Sequence, residues 1–240
     1  EGSSNLISYL DGLFGVSSGG NNFSARPWFS LFQESFDRWT ELGGINFVYE
    51  PNDNGVQMGG NTAGSLGVRG DIRIGGATID GSNGTLAYTY LPNNGDMVID
   101  TGETTFYSNS TNNYRQLRNT IMHELGHAFF NLPDRYLNFC GTGRTGQYDM
   151  MSNNCSWEHF TLHDKVKIGW IKPQILQGHL SQCLAFPASE STPAALAIVP
   201  PSSSLTPSGE YWLIENRYKP ASGCNGCLLF TPANGVFDTG

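Results

Sequence analysis

Positive charge is scarce in this chain. Thirteen Lys and Arg stand against 21 Asp and Glu in 240 residues, a formal net charge of −8. The only lysines are Lys165, Lys167, Lys172 and Lys219, and no basic run occurs. Sequence-wide neutralisation of a phosphate backbone is not expected, so no nucleic-acid partner is expected. Long apolar runs are missing too: nothing approaches the roughly 20 residues of a membrane span. No signal-like segment opens the chain, and Glu1 in place of an initiator Met fits a processed form. Cysteines number five, at 140, 155, 183, 224 and 227. Cys140 and Cys155 bracket a Gly-rich loop and are expected to pair. Cys224 and Cys227 form C-x-x-C, but no second such pair exists to complete a structural zinc site. A local disulfide, or Cys183 bonded to one of them, is the expectation, with one thiol left over. Abundant Asn, Gly, Ser and Thr with few lysines points to an extracellular chain. Sequons at Asn22, Asn83, Asn109 and Asn154 matter only where the source glycosylates.

The length suits one domain, or one with a smaller addition. Residues 1–25 are polar and Gly-rich and read as a surface segment. Pro27 suits a first helical turn. Phe29, Phe32, Phe36 and Trp39 follow at helical spacing until Gly43-Gly44 ends the run. Residues 45–50 and 68–74 alternate like strands, and shorter strands are predicted at 86–91 and 97–99. A second long helix is predicted over 112–130, with Leu117, Ile121, Leu125 and Ala128 facing inward. Residues 161–171 show helix-like spacing. After Pro173, short β-like runs at 175–180, 194–199, 211–215 and 227–231 alternate with Pro, Ser and Gly turns. The class is therefore α+β, with a first domain over 1–172 and a small β-rich region over 173–240.

The densest chemistry lies in Ile121-Met-His-Glu-Leu-Gly-His127. His123, Glu124 and His127 spell H-E-x-x-H. On a helix, positions four apart share a face, so two imidazoles can grip one Zn²⁺ while the carboxylate beside the first reaches a water. A catalytic zinc takes three protein ligands and keeps one open position. The nearest candidate for the third is Asp134. The chain must break after His127 and fold back. Asn131 tolerates the left-handed conformation, and Pro133 forbids regular continuation. His159, His163 and Glu158 are the alternatives, with His159 and His163 themselves spaced i,i+4. Glu124 would act as general base, and no serine or cysteine nucleophile is needed.

These residues resemble a metzincin metallopeptidase. That clan's extended motif is H-E-x-x-H-x-x-G-x-x-H/D followed by a Met-turn. Here Phe130 holds the glycine position and the third ligand comes one residue late. Leu132-Pro-Asp-Arg-Tyr136 resembles the L-P-D-x-Y of immune-inhibitor-A-type peptidases, whose Asp binds zinc; the resemblance implies Asp134 as ligand three. Tyr148-Asp-Met-Met-Ser152 resembles their Met-turn, which implies Met151 as the apolar floor, with Met150 as fallback. Lys165-Val-Lys-Ile-Gly-Trp170 and Tyr211-Trp-Leu-Ile-Glu-Asn-Arg217 resemble later segments of the same enzymes. The implied fold is a twisted five-stranded upper lobe over a largely helical lower lobe.

The upstream half is similar to matrixins, through Asp71-Ile-Arg-Ile74, the run from Ile79 to Tyr88, and Gly95-Asp-Met-Val-Ile-Asp100 with Glu103. The resemblance implies a structural calcium held by Asp80, Asp100 and Glu103, with oxygens from Gly81, Asn83 and Thr85. Tyr88 and Val98 stand where two histidines of a second, structural zinc would fall, so that site is expected to be absent. By the same resemblance, Gly84, Thr85, Leu86, Ala87 and Tyr88 form the edge strand that a peptide substrate joins. Asn153 and Asn154 would help wall the specificity pocket. Tyr136 or Tyr148 is a candidate oxyanion donor, though packing suits each better, and Arg135 and Arg144 read as surface residues. The expectation is a secreted, monomeric zinc endopeptidase acting on protein or peptide, with a propeptide or protein inhibitor as candidate partner. Two other classes remain at this point: a zinc hydrolase of a non-peptide amide, and an inert metal-stabilised binding module.

Overall fold

The computed structural model describes residues 3–17, 20–60, 63–92, 94–136, 149–152, 160–177, 195–199 and 211–215. All five cysteines, Tyr148, Asn153, Asn154, Glu158, His159 and the run 227–231 lie outside them. The chain divides into two units, Glu1–His159 and Phe160–Gly240, and the class is α+β.

In the first unit, α1 (Leu6–Leu13) corrects the expectation of a surface segment over 1–25. Leu6 and Leu10, four apart, are buried together with Asp11. A buried carboxylate needs partners, and Asp11 finds them well down the chain. Arg26 donates to its Oδ2 and the Trp28 indole to its Oδ1, each at 2.9 Å. Local composition gives no sign of that pairing.

Helix α2 (Phe29–Gly43) ends where Gly44 takes the left-handed conformation at φ 66°. Its fully buried Trp39 stacks on Phe130 at 5.3 Å and meets Phe129 edge-on at 5.9 Å. Those two phenylalanines end α4 (Thr111–Phe130), so α2 braces the long helix near its C-terminus. Asn112, Asn113 and Tyr114 have φ between 52° and 57°, so the right-handed course of α4 begins only after them.

A three-stranded sheet faces this pair: β1 (Ile74–Ala77), β2 (Ala87–Thr89) and β3 (Met97–Asp100), in the order β1-β3-β2. β3 is central, parallel to β1 and antiparallel to β2. It is buried throughout, as a central strand should be. β2 forms an edge and packs against α4. A short helix, α3 (Thr104–Tyr107), joins the sheet to α4. The strands predicted at 45–50 and 68–74 are not formed as such, and only Ile74 enters β1. The alternation at 45–50 has another cause. Phe47 packs on Phe36 and Phe129, and Tyr49 on Phe29, while Val48 points to solvent. The side chains alternate without a ladder. Likewise the implied upper lobe of five strands has three among the described residues.

The second unit holds α5 (Leu162–Lys167) and strands β4 (Gln174–Gln177), β5 (Leu196–Val199) and β6 (Trp212–Ile214), ordered β4-β5-β6. The Thr161 hydroxyl accepts from the Asp164 N–H at 3.1 Å and so caps α5. Leu162, Ile171, Ala195, Ala197 and Leu213 form its core. Lys165 and Glu215 pair at 3.0 Å, both largely buried.

Replacing Trp39 by Ala leaves a void under the end of α4. Thermal or urea unfolding is expected to show a loss of about 3–5 kcal/mol. A loss under about 1 kcal/mol would mean that this contact does not brace the helix.

Candidate metal centre

His123 and His127 occupy consecutive turns of α4. The helix is anchored by Leu117, Ile121 and Leu125, all fully buried. Asn131 then adopts φ 50°, ψ 43° and ends the helix. Its N–H donates to the His127 carbonyl at 3.1 Å and that of Leu132 to Gly126 at 3.3 Å. This reversal brings Asp134 back over the helix.

The result is one tight group. His123 Nε2 lies 3.0 Å from His127 Nε2 and 3.0 Å from Asp134 Oδ1. His127 Nε2 is 3.2 Å from the same oxygen. Among the described residues no other three His, Cys, Asp or Glu bring ligand atoms within 4.8 Å of one another. His163, on α5, instead lies 3.6 Å from Asp164.

The other ring nitrogens fix what these atoms are. His123 Nδ1 donates to the Met150 carbonyl at 2.9 Å and His127 Nδ1 to the Leu132 carbonyl at 2.5 Å. With protons on both Nδ1 atoms, both Nε2 lone pairs face the centre, beside a carboxylate oxygen. Three acceptors at such distances repel unless a cation sits among them. The donor set therefore fits a divalent metal. Bonds of about 2.0–2.1 Å give ligand–ligand edges of about 3.0 Å for octahedral and 3.4 Å for tetrahedral coordination. The observed edges span the lower part of that range, so geometry admits a divalent ion without choosing zinc.

Charge tells the same story. Burial opposes the charged form of His123. The Asp134 carboxylate, the Glu124 charge and the Met150 carbonyl outweigh it and raise the pKa above 6.5. Burial likewise opposes ionised Asp134, yet its hydrogen bonds to His123 and His127 hold the carboxyl well below the usual range. Tyr136 is pushed up to about 12 by burial and by the charges of Asp134 and Glu124. Its ring lies 6.0 Å from that of His123, with the phenol protonated at any working pH.

Glu124 is buried beside the group, and its Oε2 accepts from the Thr89 hydroxyl at 2.6 Å. Met151 is fully buried and Met150 nearly so. The turn that carries them is held by Asp149, which accepts from the Met151 N–H at 3.1 Å and pairs with Arg135 at 3.1 Å. The Arg135 N–H also donates to the Met151 carbonyl at 2.8 Å. Arg135, read from sequence as a surface residue, thus links the turn to the segment carrying Asp134.

The residues of the acidic loop lie elsewhere in the first unit. Asp100 accepts from the N–H groups of Ile79, Asp80, Gly81 and Gly102. Glu103 accepts from Gly84 N–H at 2.9 Å, and Asp80 from the Thr85 N–H and hydroxyl. Gly81 and Asn83 both have positive φ, which lets the loop curl around its carboxylates.

Residues 16–129 match the family model for Matrixin. No curated protein and no solved structure matches the chain. The family match supports a metzincin-type zinc metallopeptidase, and matrixins use a catalytic zinc. It ends before Asp134 and the Met150-Met151 turn, so for those residues the geometry above stands alone. Sequence reading missed Thr89, the Leu132 and Met150 carbonyls and the Arg135–Asp149 pair. Backbone acceptors leave no trace in residue type, and a threonine on an edge strand is ordinary.

Proton and metal compete for the same imidazole lone pairs. Zinc affinity, measured against a competing chelator, is therefore expected to fall as pH drops through the His123 pKa, with protons released on binding. Asp134→Asn should weaken binding at least about 100-fold, more than loss of an outer partner. Affinity flat across that pH range would contradict the ligand set.

Proposed function

We infer that the chain is a secreted zinc endopeptidase in which His123, His127 and Asp134 hold the metal and Glu124 moves the proton. The observation that carries this reading is the convergence of three metal-facing acceptors beside a buried carboxylate that is not one of them. A purely structural site has no use for that fourth group.

Bound zinc would supply an activated water and a polarised carbonyl. Glu124 takes the proton of the attacking water and delivers it to the leaving amine. The free edge of β2, with residues 84–86 before it, offers backbone groups to an extended peptide as β-augmentation. Met151 serves as apolar packing, and the Met150 carbonyl holds His123. Asn153 and Asn154 belong to the pocket wall in this reading. Few lysines and five cysteines support an extracellular setting and local disulfides, and a monomer is the assumed state. A propeptide or inhibitor would occupy the same edge. The immune-inhibitor-A-type segments support Asp134 as ligand, and the tail from 173 is assigned to a small β-rich domain.

Casein or gelatin hydrolysis by the zinc-loaded protein tests the assignment. Glu124→Gln is expected to cut the rate by about 10²–10⁴-fold while zinc still binds. Chelation should abolish activity and added zinc restore it. Activity surviving Glu124→Gln would remove the assigned role.

The same reading assigns a structural calcium to the acidic loop, with Asp80, Asp100 and Glu103 as carboxylates and Gly81, Asn83 and Thr85 as oxygen donors; the three carboxylates do not all come within 4.8 Å of one another, so binding would have to draw them together. Asp100 and Glu103 are buried, and among the described residues no cationic side chain pairs with any of the three. Calcium favours such oxygen-rich loops. Millimolar calcium is expected to raise the Tm of the wild type and leave Asp100→Asn unmoved. A wild type insensitive to calcium would end this part of the reading.

A further inference from the structure

The Glu124 carboxylate meets one side chain in the described structure, the hydroxyl of Thr89. That bond runs from Oγ1 to Glu124 Oε2 at 2.6 Å, the length of a hydroxyl donating to a carboxylate. Among the described residues nothing donates to Oε1. One oxygen is therefore tethered and the other left for chemistry.

Thr89 is well placed to fix that geometry. It closes β2, and strand alternation sends Ala87 and Thr89 to one face and Tyr88 to the other. Tyr88 is exposed, whereas Thr89 lies half-buried on the strand that packs against α4. Thr89 pairs with the fully buried Met97 on β3. Just beyond it, the Tyr90 N–H donates to the Asp96 carbonyl at 2.9 Å. The backbone is thus held on both sides, and β-branching restricts the rotamer. The hydroxyl makes no hydrogen bond to His123, His127 or Asp134.

We propose that Thr89 is the positioning residue for Glu124, holding Oε2 so that Oε1 is aimed at the water proton. This rests on the peptidase reading for its consequence in turnover, but the tether itself does not. Valine keeps the shape and removes the donor; serine keeps the donor and loses the methyl.

Thr89→Val and Thr89→Ser, both zinc-loaded, are compared with wild type on a fluorogenic peptide. The valine variant should lose about 10- to 100-fold in kcat, with KM, zinc content and Tm close to wild type. Serine should recover most of the loss. A valine variant with wild-type kcat overturns the proposal. So does a kcat loss accompanied by lost zinc or lowered Tm, or one that serine fails to recover. A second readout needs no turnover. Acetohydroxamate chelates the metal, and its hydroxyl proton passes to the neighbouring carboxylate. Its affinity, by calorimetry, should weaken about 3- to 10-fold in Thr89→Val and return in Thr89→Ser. Unchanged affinity in the valine variant also overturns the tether. A wild type that binds zinc and acetohydroxamate but cleaves nothing sinks the peptidase reading alone.

Discussion

The Leu132 carbonyl reaches His127 because Asn131 takes the left-handed conformation and turns the chain back on its own helix. The same turn delivers Asp134. One backbone reversal thus supplies one proposed ligand and orients another. The second orienting carbonyl, from Met150, arrives from a separate turn that Asp149 and Arg135 hold in place. Without these two acceptors either imidazole could present the wrong nitrogen. With them, the lone pairs converge, and convergence is what makes a metal the natural occupant.

The edge strand is fixed with comparable care. The fully buried Tyr107 donates to the Leu86 carbonyl at 2.6 Å, and the Asp100 N–H donates to the same oxygen at 2.8 Å. Burial raises the Tyr107 pKa, so its hydroxyl stays a donor. At the other end of the strand, Thr89 reaches Glu124. The surface proposed to hold a peptide and the carboxylate proposed to activate water are therefore joined through three residues of one strand. The Thr89–Glu124 bond thus ties the edge strand to the helix that carries the base.

Much of the centre was legible because its logic is local. H-E-x-x-H needs only helical spacing, and Asn131 followed by Pro133 announces the reversal that returns Asp134. Helix α2 was read from four aromatics at helical spacing, and β3 from a short apolar run. Failures came where distant partners decide. Helix α1 carries Leu6, Leu10 and Leu13 at helical spacing inside an otherwise polar, Gly-rich stretch, and only the meeting of Asp11 with Arg26 and Trp28 escapes local reading. Residues 45–50 alternate correctly but pack on α2 and α4 in place of a strand ladder. Arg135 looked like solvent decoration because its partner, Asp149, lies across a turn. Alternation reports which side chains are covered, not what covers them.

The centre also differs from metal sites that build their own fold. Leu117, Ile121 and Leu125 bury one face of α4, and Trp39 clamps its end, with no ion required. His123 and Asp134 are already drawn together, the one raised and the other lowered in pKa by the same contact. A proton on His123 Nε2 relieves the repulsion that a metal would otherwise relieve. Metal binding at this group would then exchange one cation for another within a formed cage, with little chain ordering to oppose it. That stands in contrast to small zinc domains, where metal binding and folding are a single event. It also explains why the proposed third ligand can sit on an irregular segment: helix packing below and the Arg135–Asp149 pair beside it hold Asp134 in place without a metal.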